Sequence, residues 1–250
     1  MYKLLSSLYL RSIFVEGEIP KVDYIRNLPV VRHLQKAPLE LHAPVSFFVG
    51  ENGIGKSTLI EAVAVAMGFN PEGGSRNFTF STRKTHSDLG QYLQIAKGMH
   101  PKDGFFLRAE SFYNVATNID EMDEAPGLGA PVINSYGGVS LHKQSHGESF
   151  LALVENRFHG KSLFILDEPE AALSPMRLMT LLCLIDRLVK EQSQFIISTH
   201  SPILMAYPGA EVFEISENGI RRKPYHETEH YQITKRFLND PEGMLRKLLG

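Results

Sequence analysis

The chain has 250 residues, of which 43% are hydrophobic and 22% are charged, a composition that allows one globular domain with a sizeable buried core. Its formal net charge of −2 excludes a global basic bias towards nucleic acid or membrane surfaces, although not a local patch. The one cysteine, Cys183, excludes an internal disulfide, and we expect it to be a small buried hydrophobe of a cytoplasmic protein. No stretch reaches the ~18 apolar residues of a membrane span, so none is predicted.

The first 68 residues predict short strands that lead into one strand–turn–helix unit. Residues 4–16 alternate loosely between apolar and polar side chains and predict one or two strands, whereas the prolines in residues 17–44 predict loops around short elements. An apolar run over residues 45–49 predicts a buried strand that ends at Gly50. A helical pattern then opens at Lys56 and stops near residue 68.

The turn in this unit has the spacing of a phosphate-binding loop, a glycine followed after four residues by Gly55-Lys56-Ser57. Glycines let backbone N–H groups approach a phosphate chain closely, and the helix points the positive end of its dipole at the same anion. Lys56 would bring a charge to the β- and γ-phosphates, and the Ser57 hydroxyl would ligate Mg²⁺. The predicted phosphate-binding residues are Gly50, Glu51, Asn52, Gly53, Ile54, Gly55, Lys56, Ser57 and Thr58.

From about residue 69 the sequence becomes irregular and more polar, and we expect residues 69–160 to be a subdomain inserted into a nucleotide-binding core. It begins with an irregular polar segment, in which residues 88–97 fit a short helix or a strand equally well. Residues 105–108 then predict a strand, residues 109–118 the start of a helix, and residues 120–138 a loop. The region shows no internal repeat and no heptad array, so a coiled-coil arm is not expected.

A second site follows the apolar run over residues 163–166, which predicts a buried parallel strand. The run ends in two acids, Asp167 and Glu168, which the strand would place at the carboxyl edge of the sheet beside the phosphate loop. We expect Asp167 to hold Mg²⁺, usually through water, and Glu168 to orient and deprotonate the attacking water. An acidic strand end is a weak signal alone and a strong one downstream of a phosphate loop.

Beyond this site the sequence predicts helices and strands of an α/β fold. Their signals are an N-cap serine before a proline, an apolar run, a hairpin with an Asn-Gly turn, and two amphipathic patterns. The elements are a helix from Ser174-Pro175, a strand over residues 195–198, a hairpin over residues 212–223 turning at Asn218-Gly219, and helices over residues 231–238 and 241–249.

A third polar stretch, Ser145-His146-Gly147-Glu148-Ser149, stands before a predicted helix. Serine, glycine and a helix N-terminus together make an anion site, and the alternative is an ordinary N-capped helix with Glu148 as its capping-box acid. With the two sites above, the stretch resembles the signature motif of the ATP-binding-cassette superfamily. The resemblance implies that Ser145 and Gly147 close over the γ-phosphate of ATP that the opposite protomer binds with Mg²⁺.

Two short markers extend the resemblance. Residues 172–175, which read ALSP, follow the second site where the superfamily has its D-loop, a segment that crosses the dimer interface. His200, within the letters STHSP, ends the next predicted strand where the superfamily has its switch histidine. The resemblance implies that His200 hydrogen-bonds the γ-phosphate and the attacking water, and that Lys56, Glu168 and His200 are the catalytic residues.

The family also expects a glutamine that coordinates Mg²⁺ from a strand end, and this sequence departs from that pattern. Glu110 is our candidate for that position because it follows the strand predicted over residues 105–108, and Gln91 is the alternative. The implied metal ligands are therefore Ser57, Asp167 and Glu110. The adenine-stacking aromatic residue is not assigned, although Tyr24 is a candidate.

The motif wording is similar to that of small stand-alone bacterial cassette ATPases related to the SMC-type and overcoming-lysogenization-defect ATPases. Transporter ATPases usually read LSGGQ, then leucine-aspartate in the D-loop and threonine-histidine-aspartate at the switch, where this chain reads SHGES, LSP and THS. The resemblance implies an α/β fold: a P-loop NTPase cassette with a mixed, mainly parallel central sheet, an N-terminal antiparallel β part and an inserted signature-motif subdomain. All of it would form one domain over residues 1–250.

The implied activity is Mg²⁺-dependent hydrolysis of ATP to ADP and phosphate by an ATP-dependent homodimer. Three outputs stay open. The chain could switch an unidentified effector protein such as a nuclease or toxin, act on nucleic acid, which the net charge does not support, or drive a transporter, which the motif wording opposes. An adenylate or guanylate kinase is a poorer fit, because His200 and the SHGES stretch would then have no role.

Overall fold

The computed structural model describes residues 8–20, 24–76, 88–110, 112–124 and 131–250. The strands in these residues are β1 (Leu10–Val15), β2 (Leu39–Glu40), β3 (Val45–Val49), β4 (Leu93–Lys97), β5 (Asp103–Arg108), β6 (Ser162–Asp167), β7 (Gln194–Ser198), β8 (Glu211–Ser216) and β9 (Gly219–Arg222). The α-helices are α1 (Pro29–Leu34), α2 (Lys56–Ala66), α3 (Leu89–Tyr92), α4 (Phe112–Glu124), α5 (His146–Arg157), α6 (Pro175–Lys190), α7 (Pro202–Met205), α8 (Glu229–Asn239) and α9 (Pro241–Leu249).

The strands form two sheets. The main sheet has the order β5-β6-β7-β3-β8-β9, and every neighbouring pair is parallel except the β8–β9 hairpin. The small sheet has the order β2-β1-β4 and is antiparallel. This architecture confirms the predicted α/β fold with a mixed, mainly parallel sheet and an N-terminal antiparallel part.

The main sheet is buried on both faces, as the continuous apolar runs in its strands require. Successive side chains of a strand point to opposite faces, and Phe47 and Phe48 of β3, both fully buried, belong to two different core clusters. The cluster around Phe48 includes side chains of α1, α2 and the small sheet. The cluster around Phe47 includes side chains of α4, α5, α6 and α7.

The element predictions need four corrections. Residues 120–124, predicted as the start of a loop, belong to α4, because Val115 and Ile119, one helical turn apart, are buried in the core and hold this helix on the sheet. Residues 88–97 form both a short helix, α3, and a strand, β4, rather than one of the two. The hairpin turns at residues 217–218, and Gly219 already belongs to β9, where it pairs with Ser216. Cys183 is exposed rather than buried, because α6 turns the stripe around Leu181 and Ile185 towards the core and leaves residue 183 outside it.

The region predicted as an inserted subdomain contributes to both sheets. Its strand β4 pairs with β1 of the small sheet, and its strand β5 pairs with β6 of the main sheet. Helices α4 and α5 then cover the face of the main sheet that contains Phe47. The division of the chain into a core and an insertion over residues 69–160 stays a prediction.

Residues 1–7 of the predicted N-terminal strands, and residues 77–87 and 125–130 of the predicted polar and loop segments, lie outside the described residues. None of the helices in the described residues has the length and apolar character needed to cross a bilayer.

Candidate active site

The candidate site lies where three parallel strands end at one edge of the main sheet. Strand β3 runs into the loop at Gly50, β6 ends at Asp167, and β7 ends at Ser198. The register pairs Asp167 with Ser198, and Ser198 with Phe48, so the three strand ends lie side by side. Carboxyl ends of parallel strands are where α/β folds bind ligands.

The loop after β3 has room only for glycine at two positions. Gly50 has φ 143°, and a Cβ atom on it would lie 2.4 Å from the backbone oxygen of Ile215 on β8. Gly55 has φ 101°, and its Cβ atom would lie 2.9 Å from Val30 in α1. The glycines of the predicted motif therefore let this loop pass close to its neighbours before α2 begins at Lys56.

Lys56 is buried at the first turn of α2. Its Nζ atom donates to two carbonyl oxygens of the loop, those of Gly50 at 2.8 Å and Glu51 at 2.9 Å. Burial lowers the pKa of Lys56, and the nearby carboxylates of Glu168 and Asp167 oppose that shift. Within the described residues this desolvated ammonium group donates to backbone carbonyls, an arrangement that fits an anionic ligand such as a phosphate chain.

Asp167 is buried and surrounded by donors. Its Oδ1 atom accepts a 2.5 Å hydrogen bond from the Ser198 hydroxyl, and the Ser57 side chain also hydrogen-bonds to it. The Nε atom of Arg108, at the end of β5, lies 3.6 Å from its Oδ2 atom. Burial raises the pKa of Asp167, whereas the bonds from Ser198 and Ser57 and the charge of Arg108 lower it.

The oxygens of Ser57 and Asp167 are the ligand types that Mg²⁺ prefers. The part of the chain that the structure describes has no cluster of three His, Cys, Asp or Glu side chains able to hold a metal ion by itself. Magnesium in nucleotide sites takes one or two carboxylates together with phosphate oxygens, so the donor set fits a Mg²⁺–nucleotide complex.

Glu168 has an unusual backbone for a residue other than glycine, with φ 51° and ψ 52°. Such a conformation stores about 1–3 kcal/mol and clusters at functional sites. The N–H of Glu168 donates to both the backbone and the hydroxyl oxygen of Ser198, each at 3.1 Å. Ser198 therefore holds both acids of the strand end and turns the Glu168 side chain towards His200, whose Nε2 atom lies 3.3 Å from the Glu168 Oε1 atom.

His200 is held by two hydrogen-bond contacts just beyond β7. Its backbone N–H donates to Glu170 Oε1 at 2.5 Å, and its Nδ1 atom lies 2.8 Å from the Nε2 atom of His230 on α8. Burial lowers the pKa of His200, Lys56 and His230 lower it further, and Glu168 opposes them. Burial also raises the pKa of Glu170, whose Oε2 atom is buried without a hydrogen bond from any described residue.

The SHGES stretch forms the N-terminus of α5. It has the capping box of an ordinary N-capped helix, which was the alternative to an anion site. The backbone N–H and the hydroxyl of Ser145 both donate to Glu148 Oε2, at 3.1 and 2.6 Å, and Arg177 of α6 pairs with the other Glu148 oxygen at 3.2 Å. Gly147 is buried, and there is no room for a larger residue at this position. A Cβ atom added to it would lie 2.3 Å from an Arg177 nitrogen and 2.8 Å from the Ala172 oxygen. Ser145 remains exposed at the surface.

Two clefts show which predicted site residues lie together in one chain. The first has a volume of about 210 Å³, and Ser145 and Gly147 are not among its lining residues. The second has a volume of about 440 Å³ and brings Tyr24 beside the phosphate loop. The first is lined by Ser57, Ala109, Glu110, His146, Asp167, Glu168 and Ala171, and the second by Tyr24, Leu28, Asn52, Gly53, Gly55, Lys56, Ser57, Thr58, Glu110 and Glu168.

The two candidates for the missing glutamine differ in position. Glu110 lines both clefts, with its side chain 88% exposed and 3.6 Å from Arg108. Gln91 lies on α3, where it hydrogen-bonds to Asp88, and lines neither cleft. The structure therefore places Glu110, and not Gln91, near Ser57 and Asp167.

Three residues around these acids were not singled out from the sequence. Arg108 pairs with Glu61 at 2.6 Å as well as approaching Asp167, and its position as the last residue of an apolar strand was a usable signal. Ser198 stands in the stretch quoted for the switch histidine, so its role was within reach. His230 had no signal, because it belongs to an amphipathic helix 30 residues after His200 in the chain.

Comparisons with known proteins agree with this arrangement. One family model, described as "AAA domain, putative AbiEii toxin, Type IV TA system", matches residues 140–206, and another, described as "AAA domain", matches residues 24–104. The first match covers the SHGES stretch, the acidic strand end and His200, and the second covers the phosphate loop.

Curated relatives and a solved structure extend the match. The chain is 29% identical over 180 residues to the ribose import ATP-binding protein RbsA of a Bacillus cereus strain, covering 64% of this chain and 34% of that protein. It is 23% identical over 193 residues to the nucleoside import ATP-binding protein NupA of Lactococcus lactis subsp. cremoris, covering 71% and 36%. The chain thus spans about a third of the length of these relatives. A structure titled "An inward-facing conformation of a putative metal-chelate type ABC transporter" shares the fold, with a TM-score of 0.51, 13% identity, and coverage of 90% of this chain and 88% of that one.

Proposed function

We propose that this chain, which is similar to AAA domains over residues 24–104 and 140–206, is an ABC/AAA-type ATPase that binds ATP with Mg²⁺ at the edge of the main sheet and hydrolyses it between two copies of itself. The observation that carries the proposal is the convergence of Lys56, Asp167, Glu168 and His200 beside one glycine-rich loop. Each of these groups has a distinct chemical task in phosphoryl transfer to water.

Binding would use the loop and the groups around Asp167. Lys56 would exchange its two carbonyl contacts for phosphate oxygens, which supply the counter-charge that a buried ammonium group needs. Ser57 and Asp167 would hold Mg²⁺, with Glu110 as a further ligand, and the ion would neutralise charge on the phosphates. Ser198 and Arg108 would keep the Asp167 carboxylate ionised and correctly oriented.

Hydrolysis would use the pair at the end of β6 and β7. Glu168, turned by its left-handed backbone, would accept the proton of the attacking water. His200 would donate its Nε2–H to the γ-phosphate, where negative charge must be stabilised. The 3.3 Å separation of the two side chains supports this proposal, because one reacting group could contact both.

The position of two signature residues supports the dimer, while His146 between them lines the chain's own first cleft. Ser145 and Gly147 do not line the clefts that contain the chain's own phosphate loop, and Ser145 is exposed at the N-terminus of α5. A second copy would bring its Ser145 over the γ-phosphate and complete the set of donors. A lone chain would then hydrolyse ATP slowly, and ATP would hold the two copies together until hydrolysis releases them.

The output that we propose is control of an effector protein by this ATP-dependent dimer. The family description, which places its AAA domain in a type IV toxin–antitoxin system, supports a role in a two-component system of this kind. A transporter motor is the second candidate, because the curated relatives are import ATP-binding proteins. Co-purification with a membrane permease would favour the second candidate over the first.

The test is the substitution Glu168→Gln. It should leave ATP binding intact, stop hydrolysis, and let an ATP-dependent dimer accumulate, as followed by phosphate release and by light scattering on a sizing column. Glu155→Gln, at an exposed position on α5, is the matched control and should behave as wild type. A Glu168→Gln protein that hydrolyses ATP at the wild-type rate would show that the base is another residue.

A further inference from the structure

We propose that His230 is a positioning residue that fixes the tautomer of His200, so that His200 presents an N–H, and not a lone pair, to the γ-phosphate. The inference rests on the proposed function, because it assigns a task to a residue next to that site. It connects the C-terminal helix α8 to the reacting end of the nucleotide.

The two rings share one hydrogen bond. His200 Nδ1 and His230 Nε2 are 2.8 Å apart, and the ring centroids are 4.8 Å apart with an angle of 57° between the ring planes. At this separation one nitrogen donates and the other accepts, so the proton positions on the two rings are coupled.

The direction of this bond follows from the other side of the His200 ring. Its Nε2 atom faces Glu168 Oε1 at 3.3 Å, where an N–H is attracted and a lone pair is repelled. Lys56, Glu168, Glu170 and His230 face His200. Burial and the charge of Lys56 lower the pKa of His200 below its ordinary value, which favours the neutral ring near pH 7. A neutral ring with a proton on Nε2 must accept at Nδ1, and His230 Nε2 must therefore donate.

The first turn of α8 holds His230 in place. The N-cap Thr228 is fully buried, accepts from the Tyr231 N–H, and donates to the Tyr225 oxygen at 2.6 Å. The Glu229 N–H donates to Glu214 of β8 at 2.9 Å, which ties the helix start to the main sheet. The remaining nitrogen of His230, Nδ1, is buried and has no hydrogen-bond partner among the described residues, so the polar contact of this ring is the one to His200.

The arrangement leaves one polar atom ready for a ligand. His200 Nε2 is buried, and although it lies close to Glu168 it makes no well-aligned hydrogen bond within the described part of the chain. Buried donors without a partner are rare and call for an explanation. A phosphate oxygen would satisfy this donor only in the tautomer with the proton on Nε2, the tautomer that a hydrogen bond donated by His230 Nε2 to His200 Nδ1 stabilises.

The direct test reads the tautomer in the nucleotide-free protein. Two-dimensional ¹H–¹⁵N NMR of histidine-labelled protein distinguishes protonated from unprotonated ring nitrogens, and loss of signals in His200→Gln and His230→Gln assigns two of the ten histidines. We expect His200 to be protonated at Nε2 and unprotonated at Nδ1. A proton on Nδ1 in the wild type would overturn the inference, whatever the protein hydrolyses.

Activity supplies the second readout. His230→Leu removes the donor and should lower kcat for ATP hydrolysis by about 10- to 100-fold, the range for outer partners of metal-ligating histidines, with little change in KM. His230→Gln keeps an N–H at the same position and should recover most of the loss. His226→Leu, at an exposed histidine just before α8, is the matched control and should be as active as wild type.

The outcomes are separable from those of the proposed function. A His230→Leu protein with wild-type kcat, or a His230→Gln protein as impaired as His230→Leu, would contradict the positioning role. A wild-type protein without ATPase activity would contradict the proposed function, whereas the NMR measurement would still decide the tautomer.

Discussion

Ser198 should be the most consequential serine of the main sheet, because it holds both acids at the end of β6. Its hydroxyl is fully buried, donates to Asp167 at 2.5 Å, and accepts from the Glu168 N–H at 3.1 Å. In Ser198→Ala the Glu168 N–H keeps its bond to the Ser198 backbone oxygen, so the main loss is the hydrogen bond to the carboxylate. A hydrogen bond to a charged group contributes about 1.5–3 kcal/mol.

The matched control is Ser193, which immediately precedes β7, the strand that Ser198 ends. Ser193 is also buried, but its hydroxyl makes only neutral bonds of 3.3 Å, accepting from the Ser162 N–H and donating to the His159 oxygen. A neutral hydrogen bond contributes about 0.5–1.5 kcal/mol. Ser193→Ala should therefore lose less stability than Ser198→Ala and keep its activity.

Calorimetry and steady-state kinetics measure the difference. A loss of about 2 kcal/mol lowers the Tm of a domain of this size by about 4–8 °C, which we expect for Ser198→Ala. Loss of the donor also raises the pKa of Asp167 further, so this variant should need more Mg²⁺ for half-maximal hydrolysis. Equal losses of stability in the two variants, with an unchanged Mg²⁺ requirement, would refute the role given to Ser198.

Three further changes test other parts of the site. Mg²⁺–ATP at 100 times its Kd should stabilise the folded wild type by about 2.7 kcal/mol. In a thermal-shift assay Lys56→Met should abolish this stabilisation, whereas Lys190→Met, at an exposed lysine, should keep it. Tyr24→Ala should weaken ATP binding by the ~1–3 kcal/mol of one base–aromatic stack and Tyr24→Phe should not, as titration calorimetry would show; equal affinities would exclude stacking on Tyr24. Burial raises the pKa of Glu170 in the folded state, so the ionisation of this carboxyl group opposes folding as pH rises. Glu170→Gln should therefore have a higher Tm than wild type at about pH 8, and this difference should disappear towards about pH 4. A difference in Tm that does not change with pH would contradict the raised pKa.

The phosphate loop and the acidic strand end were predictable because each consists of residues that are neighbours in the sequence. A strand, a glycine-rich turn and a helix fix the phosphate loop through local conformational preferences, and an apolar run that ends in two acids fixes Asp167 at the sheet edge. The same reasoning predicted the strands at residues 163–166 and 195–198 and the helix between them along the chain. It was wrong about Cys183, because an apolar run does not by itself show which residues a helix turns outward.

The remaining parts depend on contacts between distant segments. Arg108 reaches Asp167 only because β5 pairs in register with β6, and the pairing Arg108↔Asp167 depends on the whole sheet. His230 reaches His200 because the first turn of α8 is tied to β8. In a single sequence the position of Arg108 at a strand end does not reveal its partner, and His230 leaves no periodic or motif signal. Each contact joins elements whose spacing is set by packing rather than by local preference.

The sandwich of two copies is tested most directly by mixing two inactive variants. Lys56→Met should disable the phosphate loop and Ser145→Arg the signature turn, so each protein alone should be inactive, yet a mixed dimer keeps one intact site that combines the loop of one chain with the turn of its partner. Random pairing of equal amounts makes half of the dimers mixed with one good site each, so the mixture should recover about a quarter of the wild-type ATPase rate. A mixture that stays as inactive as its components, or a Ser145→Arg protein that hydrolyses ATP normally by itself, would contradict a site shared between two chains.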